Sequence, residues 1–288
     1  MIEVEDISVK DVDRIIEALR MKTGADFRNY AFSSLRRRVV RFTEVRRIRE
    51  IDVLVSNIRN MNGYAEGFIE ELTVNVTEMF RDPSFWVMLR DTVLPELARR
   101  NEIRIWHAAC STGEEVFSMA ILLLEAGLLG KSRIVATDIN NNVLRSAAAG
   151  IFKLKSQEVN SRNYEQAGGK RKLADYYRIS ENMAAFDIDL IKNAEFVHHD
   201  LTRDKAFSTF DLILCRNVLI YFNSELQEHV LGIINKSLLI GSYLAIGSKE
   251  SIRWCREAYC FREESIEEKI YRKIADRKYS QPANTGIQ

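Results

Sequence analysis

Apolar residues recur at helical spacing through the first third of the chain. The first helix is predicted to start at Ser8, which forms a capping-box pattern with Asp11, an Asp standing in place of the usual Glu. The apolar stripe that follows consists of Val9, Val12, Ile15, Ile16 and Leu19. The same periodicity predicts helices over residues 31–44, 51–60, 64–72 and 83–100. No run in this part of the sequence predicts a strand.

Beyond this helical part, short runs rich in Ile and Val alternate with helical stretches. The runs are EIRIWHAA (102–109), SRIVATDI (132–139), AEFVHHDL (194–201), FDLILCRNVLIYF (210–222) and YLAIGS (243–248). Helices are predicted over 114–126, 141–149 and 224–239. Near-continuous apolar runs separated by helices are typical of strands covered on both faces, so they predict a mostly parallel α/β sheet. Runs at 258–261 and 269–274 predict antiparallel edge strands, and the lost alternation over 152–193 predicts a small insertion.

Composition narrows the class of protein. The 288 residues are 46% hydrophobic and carry a net charge of +1, which is typical of a globular chain that buries a core. No apolar run reaches the roughly 18 residues of a membrane span, and the acidic start lacks the pattern of a signal peptide. The four cysteines form no CxxC pair, so we expect a reducing cytoplasm and neither disulfides nor a zinc site. Residues 277–288 are predicted to be a disordered tail.

The turn CSTGEE, residues 110–115, follows the first predicted strand and opens a helix. A phosphate site there would need glycines and backbone N–H groups, but this turn has one glycine and two acids, Glu114 and Glu115. The next strand ends at Asp138, where dinucleotide-binding folds carry the acid that holds ribose hydroxyls. Each acid taken singly is also explained as a solvated residue, since Glu is favourable in a first helical turn. Together they predict a positively charged nucleoside without phosphates, which S-adenosylmethionine matches.

Four motifs extend this interpretation to most of the chain. They are NVTEMFRD (75–82), AACSTGEEVFSMA (108–120), ATDINNNVLRSAAAGIF (136–152) and FDLILCRNVLIYF (210–222). In this order and spacing they resemble the CheR family of chemotaxis receptor methyltransferases. The resemblance implies a Rossmann-like class I methyltransferase sheet with helices on both faces, a small all-α N-terminal domain and a small β-subdomain insertion. The expected bounds are 1–72 for the helical domain, 73–100 for a linker and helix covering the cofactor, and 101–276 for the methyltransferase domain.

The resemblance also implies functional residues. Those expected to bind the cofactor are Asn75, Thr77, Arg81, Glu115, Asp138, Asp200, Leu201, Arg216 and Asn217. Arg81 and Tyr221 are expected to aim the reacting carboxylate, although the apolar run alone would make Tyr221 a core residue. Two positions depart from the family pattern: Asp200 replaces an Asn, which puts an amide hydrogen bond in doubt, and Met79 replaces a Phe, which keeps an apolar packing role.

The activity implied is transfer of a methyl group from S-adenosyl-L-methionine to glutamate side chains of chemoreceptors, with S-adenosyl-L-homocysteine as the product. Eight arginines lie between Arg28 and Arg49 against one acid, Glu44. We expect Arg37, Arg38 and Arg41 on the helix side opposite the stripe of Leu35, Val39 and Phe42, where they would dock on the acidic receptor bundle. A solvated helix face and a nucleic-acid patch are the alternatives, but the near-neutral chain without interleaved aromatics disfavours nucleic acid.

Other functions fit the sequence less well. A nucleic-acid amino-methyltransferase would carry a D/N-P-P-Y/F motif where this chain reads CRNVLIYF, and a nicotinamide oxidoreductase would carry GxGxxG. No third ligand joins the histidines beside Asp200 at metal spacing, so no metal is expected. A non-catalytic domain that senses S-adenosylmethionine, or an adaptor, is the remaining alternative. We expect a cytoplasmic monomer that does not insert into membranes.

Some relatives of this kind carry a β-subdomain whose glycine-rich loop grips a peptide at the receptor C-terminus. The matching stretch here is YYRISENMAAFDIDLI, residues 176–191, in which residues 176–179 and 185–191 are predicted to pair as a hairpin. The connecting stretch SENMA is short and contains no glycine. The sequence therefore predicts the subdomain without its peptide-gripping loop.

Overall fold

The computed structural model describes residues 7–73 and 77–276, and its first part is helical, as predicted. The helices are α1 (Val9–Thr23), α2 (Phe32–Arg46), α3 (Ile51–Asn60) and α4 (Tyr64–Leu72). The capping box is present: the Ser8 hydroxyl accepts a hydrogen bond from the Asp11 N–H at 3.2 Å, and Asp11 accepts one from the Ser8 N–H at 3.1 Å. The apolar stripes of the four helices meet in one core around Phe27, Phe42 and Phe68. The domain boundary at residue 72 stays a prediction.

The single helix predicted over 83–100 is divided into three pieces. Pro83–Met88 (α5) and Leu94–Leu97 (α6) are α-helical, and Leu89–Val93 between them is a π-helical turn. Pro95 has no N–H to donate to the preceding turn, which explains why the regular hydrogen-bond ladder fails just before it. The remaining helices are α7 (Glu114–Glu125), α8 (Asn141–Ala149), α9 (Gln157–Gln166) and α10 (Ser224–Lys236).

A seven-stranded sheet forms the centre of the molecule, in the order β6-β2-β1-β7-β8-β10-β9. Its strands are β1 (Ile103–Ala108), β2 (Ser132–Asp138), β6 (Ala194–His198), β7 (Phe210–Cys215), β8 (Leu238–Ile246), β9 (Phe261–Ser265) and β10 (Ile270–Lys273). The first five in spatial order pair in parallel and the last two antiparallel, which confirms the predicted mostly parallel sheet.

Both faces of this sheet are covered. Ile105, Leu212 and Leu214 point into one core, while Trp106 and Ile213 point into the other. All six residues of β7 are buried, which explains why its sequence reads as a continuous apolar run and does not alternate. Within the described ranges, no helix is long and apolar enough to cross a membrane.

Several of the predicted bounds were wrong. β8 starts at Leu238 and is longer than YLAIGS, and the edge strand predicted at 258–261 is a 3₁₀ turn, with β9 beginning at Phe261. In the insertion, β4 (Tyr177–Ser180) and β5 (Met183–Phe186) form the predicted hairpin, but residues 188–191 form a 3₁₀ turn because Asp187 accepts a hydrogen bond from the Asp189 N–H at 3.0 Å. A third strand, β3 (Ile151–Lys153), pairs with β5 and begins the subdomain earlier than expected.

The loop between α1 and α2 joins the helical part to the sheet. Tyr30 and Phe222 form an isolated antiparallel bridge. On either side of this bridge, the Ala31 N–H donates to the Tyr221 carbonyl at 2.7 Å, and the Asn223 N–H donates to the Asn29 carbonyl at 2.9 Å. The backbone that precedes α2 is therefore fixed to the segment that carries Tyr221.

Candidate active site

β1 lies between β2 and β7 in the sheet. The strands β2 and β6 are added on one side of β1, and the strands β7 and β8 are added on the other side. In open α/β sheets, such a switch point forms a ligand crevice at the carboxyl ends of the strands. Five of the eight non-glycine residues described with a positive φ lie on the segments that meet there: Phe80, Asp82, Ala109, Ser111 and Asn217. Left-handed backbone at such residues is unfavourable by about 1–3 kcal/mol each and clusters at functional sites. The backbone itself therefore marks this crevice.

The turn after β1 depends on Gly113. Its φ is 96°, and an added Cβ would lie 2.7 Å from the Cβ of Ala147 on α8. Glycine at this position lets the start of α7 approach α8 closely. The turn thereby reaches the end of β2.

Asp138 ends β2 and faces this turn. Its carboxylate accepts hydrogen bonds from the N–H groups of Ser111 and Asn140, each at 3.0 Å. Burial raises the pKa of Asp138, and the two backbone donors partly oppose that rise. The carboxylate has more lone pairs than these backbone donors use, so it can accept a hydrogen bond from a ligand hydroxyl.

The two acids of the turn have different partners. Glu114 accepts a hydrogen bond from the Thr112 hydroxyl at 2.6 Å, and burial raises its pKa. Glu115 lies 2.9 Å from Nδ1 of the buried His107 and 3.0 Å from the Arg216 guanidinium. Burial alone would raise the pKa of Glu115, but the His107 and Arg216 contacts outweigh it and hold that pKa below its usual value. Repulsion of phosphate by Glu115 is thus weaker than the sequence suggested, because Arg216 neutralises part of its charge.

Arg216 joins the turn to the linker that precedes α5. Its guanidinium donates to the Asp82 carboxylate at 2.8 Å and to the Arg81 carbonyl at 3.3 Å, and it lies 4.0 Å from the ring centroid of Phe85. Its side chain is only 2% exposed. A buried charge of this kind requires its partners, so Arg216 fixes three segments in one arrangement.

A cavity that opens to solvent lies beside Asp138 at the strand ends. Of the residues that the sequence predicted, it is lined by Asp138, Asp200, Leu201, Asn217 and Tyr221. Two polar atoms of its wall residues, Oγ of Ser111 and Nδ1 of His199, are buried without a hydrogen-bond partner among the described residues. Such atoms and the open Asp138 carboxylate fit a nucleoside, which presents hydroxyls and ring nitrogens.

The other predicted residues lie outside this wall. Glu115 and Arg216 form the adjoining network, and Arg81 contributes its carbonyl to it, with a half-buried side chain. Thr77 is half-buried on the linker, and Asn75 lies outside the described residues. Met79 is fully buried, as its packing role requires.

Asp200 makes local contacts that the sequence did not predict. Its carboxylate accepts hydrogen bonds from the N–H and the hydroxyl of Thr202, at 2.8 and 2.7 Å, and its own N–H donates to Asp204. Asp200 therefore presents an acceptor to the cavity and no side-chain donor. The amide hydrogen bond of the family pattern has no equivalent at this side chain.

No pattern in the sequence indicated Glu250. Its buried carboxylate accepts hydrogen bonds from the N–H groups of Asn217 at 2.9 Å, Ile220 at 3.2 Å and Gly247 at 2.5 Å. These bonds hold the left-handed Asn217 and the segment leading to Tyr221. A Cβ added at Gly247 would lie 2.6 Å from the side-chain nitrogen Nδ2 of Asn217, so only glycine permits this close approach. Thirty-three residues separate Glu250 from Asn217, and no local sequence pattern connects them.

The α2 arginines divide into two groups. Arg37 and Arg41 are exposed, as predicted, but Arg38 is half-buried. Arg38 lies near enough to Tyr221 for that side chain to affect its pKa, which burial lowers. The prediction for Arg38 was wrong because Leu35 and Phe42, three and four residues away, place it beside the buried stripe. Within the described ranges, no group of three or more His, Cys, Asp or Glu is placed to hold a metal ion.

The chain is similar to known methyltransferases. A family profile described as "CheR methyltransferase, SAM binding domain" matches residues 75–277. "Putative methyltransferase Cher3" of Pseudomonas putida is 40% identical over 91% of this chain and 96% of its own length. "Chemotaxis protein methyltransferase" of Listeria monocytogenes is 30% identical over 84% of this chain and 90% of its own. Among solved structures, N-methyltransferase NodS of Bradyrhizobium japonicum, in complex with S-adenosyl-L-homocysteine, is 13% identical with a TM-score of 0.38, covering 68% of this chain and 88% of its own.

The profile spans both the linker and the whole sheet, and the two sequence relatives extend across the helical part as well. The cofactor that it names suits a crevice with an acid at the end of β2 and no cradle for phosphates. This chain belongs to the CheR family of S-adenosylmethionine-dependent methyltransferases.

Proposed function

We propose that the protein methylates glutamate side chains in the cytoplasmic helical bundle of chemoreceptors, as a protein-glutamate O-methyltransferase. The observation that carries this proposal is the charge of α2 beside the cofactor cavity. The helix holds five arginines and one acid, and within the described residues none of the five forms an ion pair. By contrast, many exposed arginines elsewhere are paired, for example Arg253 with Glu263 at 3.0 Å. An unpaired cationic helix suits an acidic protein partner.

The position of α2 supports a role next to the reaction. The residue before its first turn, Ala31, donates its N–H to the Tyr221 carbonyl at 2.7 Å, and Tyr221 lines the cavity. Arg38 lies close to Tyr221 on the inner side of the helix. A receptor helix that docks on Arg37 and Arg41 would therefore lie beside the cavity mouth.

The residues fit methyl transfer to a carboxylate. Bound S-adenosylmethionine supplies a methyl group on a positively charged sulfur. A substrate glutamate with a pKa of about 4.3 is already ionised at neutral pH, so the enzyme needs no general base. Its task is to hold the carboxylate in line and exclude water, and positioning of this kind contributes about 7–11 kcal/mol to barrier lowering. We assign that aiming role to Arg81 and Tyr221.

Different groups of residues are assigned to the ribose, the adenine and the methionine part of the cofactor. Asp138 holds the ribose hydroxyls, and Asp200 with Leu201 flanks the adenine. Glu115, Arg216 and Asn217 surround the methionine part, and Asn75, Thr77 and Arg81 cover it from the linker. The distances within the Asp138 and Arg216 networks support this division.

Measurement of catalytic turnover distinguishes a methyltransferase from a non-catalytic domain that only senses S-adenosylmethionine. We expect many equivalents of S-adenosylhomocysteine per protein when the protein is mixed with S-adenosylmethionine and a panel of chemoreceptor cytoplasmic fragments. Tyr221→Phe is expected to bind the cofactor and to turn over slowly. Binding of one equivalent with no turnover on any fragment would favour the sensing domain.

Charge reversal on α2 tests the docking surface. Arg37→Glu with Arg41→Glu should raise the KM for the receptor fragment about tenfold or more, because each exposed charge now repels the acidic bundle. Cofactor affinity should stay unchanged, and the wild-type reaction should slow with added salt, since exposed charges are screened beyond about 8 Å at physiological ionic strength. The matched control reverses Arg145 and Arg162, which are exposed on α8 and α9. Equal KM values for the two double variants would make α2 a plain solvated face.

The β-subdomain is predicted not to bind a receptor C-terminal peptide. Ser180 pairs with Met183, so Glu181 and Asn182 alone form the turn, with Glu181 at a φ of 54°. A turn of two residues without glycine offers no loop that can approach a peptide backbone. We expect no binding of a receptor C-terminal pentapeptide at concentrations of about 100 μM, and unchanged methylation when the receptor tail is removed. Calorimetric titration of the peptide checks this, and a low-micromolar Kd would contradict it.

A further inference from the structure

Tyr30 brings the helical part of the chain into the cofactor cavity. It lies in the loop before α2, and its side chain lines the same cavity as Asp138, Asp200 and Ser111. The ring packs at 5.1 Å from the Phe222 ring and at 4.9 Å from the Phe27 ring. The backbone bonds of Asn29 and Ala31 to the Tyr221 segment fix the loop on both sides of it. Its position is thus set by the fold, independently of any ligand.

The Tyr30 hydroxyl has a defined chemical character. It forms no hydrogen bond with any part of the chain that the structure describes. Burial raises the pKa of Tyr30, and the negative charges of Asp200 and Asp138 raise it further. The phenol therefore stays protonated and acts as a donor close to both acids.

The ligand end that Tyr30 meets can be identified from its neighbours. Asp138 suits ribose hydroxyls, and Asp200, which follows the neighbouring strand β6, lies in the same cavity wall. Of the residues assigned to the methionine part, Asn217 lines this wall, whereas Glu115 and Arg216 form the network on the linker side and do not line it. The ribose ring oxygen and the unprotonated purine ring nitrogens only accept hydrogen bonds, so neither acid of the wall can pair with them, whereas the ribose hydroxyls can donate to Asp138. A protonated phenol is the complementary group.

We propose that Tyr30 is a cofactor-binding residue whose hydroxyl donates a hydrogen bond to the adenosine part of S-adenosylmethionine. The cofactor site then spans the helical part and the sheet, and the residue next to the first turn of α2 contacts the nucleoside. This inference depends on the cofactor and holds whether or not the acceptor of the methyl group is a receptor glutamate.

The test compares two ligands in one variant. Tyr30→Phe keeps the ring packing and removes only the hydroxyl. We expect it to bind S-adenosylhomocysteine and 5′-methylthioadenosine about fivefold more weakly, by equal factors, because both contain adenosine and only the first contains the amino-acid part. The matched control is Tyr64→Phe, a half-buried tyrosine of the same helical part whose ring packs 5.7 Å from Phe42, away from the cavity wall.

Each calorimetric outcome decides the proposal. Equal losses for both ligands in Tyr30→Phe, with wild-type affinities in Tyr64→Phe and unchanged melting temperatures, support it. Wild-type affinity of Tyr30→Phe for both ligands overturns it. A loss for S-adenosylhomocysteine alone also overturns it, since the hydroxyl would then act on the amino-acid part. Matching losses in both tyrosine variants would show a general effect of the helical part, and would overturn it too.

Discussion

Replacement of Asp138 by alanine is expected to weaken S-adenosylhomocysteine binding about a hundredfold. Hydrogen bonds to charged groups contribute about 1.5–3 kcal/mol each, and Asp138 is proposed to accept two from the ribose. The structure adds a second reason: the Ser111 and Asn140 N–H groups would lose their shared acceptor, so the turn and the start of α8 would lose their common anchor. Isothermal calorimetry of the variant gives the affinity directly.

Two controls separate binding from folding in this prediction. Asp138→Asn keeps the shape and one acceptor and should lose less affinity than Asp138→Ala. Asp187→Ala removes an exposed acid of the β-subdomain and should bind like the wild type. Because burial raises the pKa of Asp138, affinity should fall on acidification at a higher pH than an ordinary aspartate would give. Affinity of Asp138→Ala within about threefold of the wild type would remove the ribose assignment.

Replacement of Arg216 by methionine is expected to lower the free energy of unfolding by about 3–5 kcal/mol, because Glu115 and Asp82 would lose their buried counter-charge. The packing on Phe85 is partly kept by the methionine, so the loss reports mainly on the charges. Cofactor affinity should fall as well, since the linker and the turn would separate. Chemical denaturation measures the stability, and calorimetry measures the binding.

A second substitution, at Glu115, tests whether Arg216 stabilises the fold through its charge. Adding Glu115→Gln to Arg216→Met should restore part of the lost stability, because an uncompensated buried carboxylate is removed. The matched control is Arg162→Met, which breaks an exposed ion pair with Glu158 and should change stability by less than about 1 kcal/mol. Additive losses in the double variant, with no recovery, would show that Arg216 acts through packing and not through charge.

The sequence predicted the sheet well because burial on both faces leaves a direct pattern in it. Residues 210–215 are all apolar except Asp211, and all six are buried in β7. The exception is explained by the strand start, where Asp211 accepts a hydrogen bond from the Arg104 N–H at 2.7 Å. The helix interruption at Leu89–Val93 was missed, although Pro95 is visible in the sequence and implies it.

The candidate site contains residues of two kinds. Asp138 follows from local pattern, since it ends an apolar run in a defined register. Glu250 and Tyr30 act across the fold, on Asn217 and in the cofactor cavity, and no spacing in the sequence indicates either contact. Arg38 does not lie opposite the apolar stripe with Arg37 and Arg41. At 100° per residue, it falls on the same side of α2 as Leu35 and Phe42. Contacts between distant segments need the fold before they can be recognised.

The most direct measurement is the location of the transferred methyl group. Receptor cytoplasmic fragments treated with the protein and S-adenosylmethionine would be digested and mapped by mass spectrometry, before and after mild alkali. The account predicts methyl groups on glutamate side chains of the helical bundle that alkali removes, with none in parallel reactions of Asp138→Ala. Alkali-stable methyl groups on lysine, or fragments left unmodified by a protein that binds the cofactor, would contradict it.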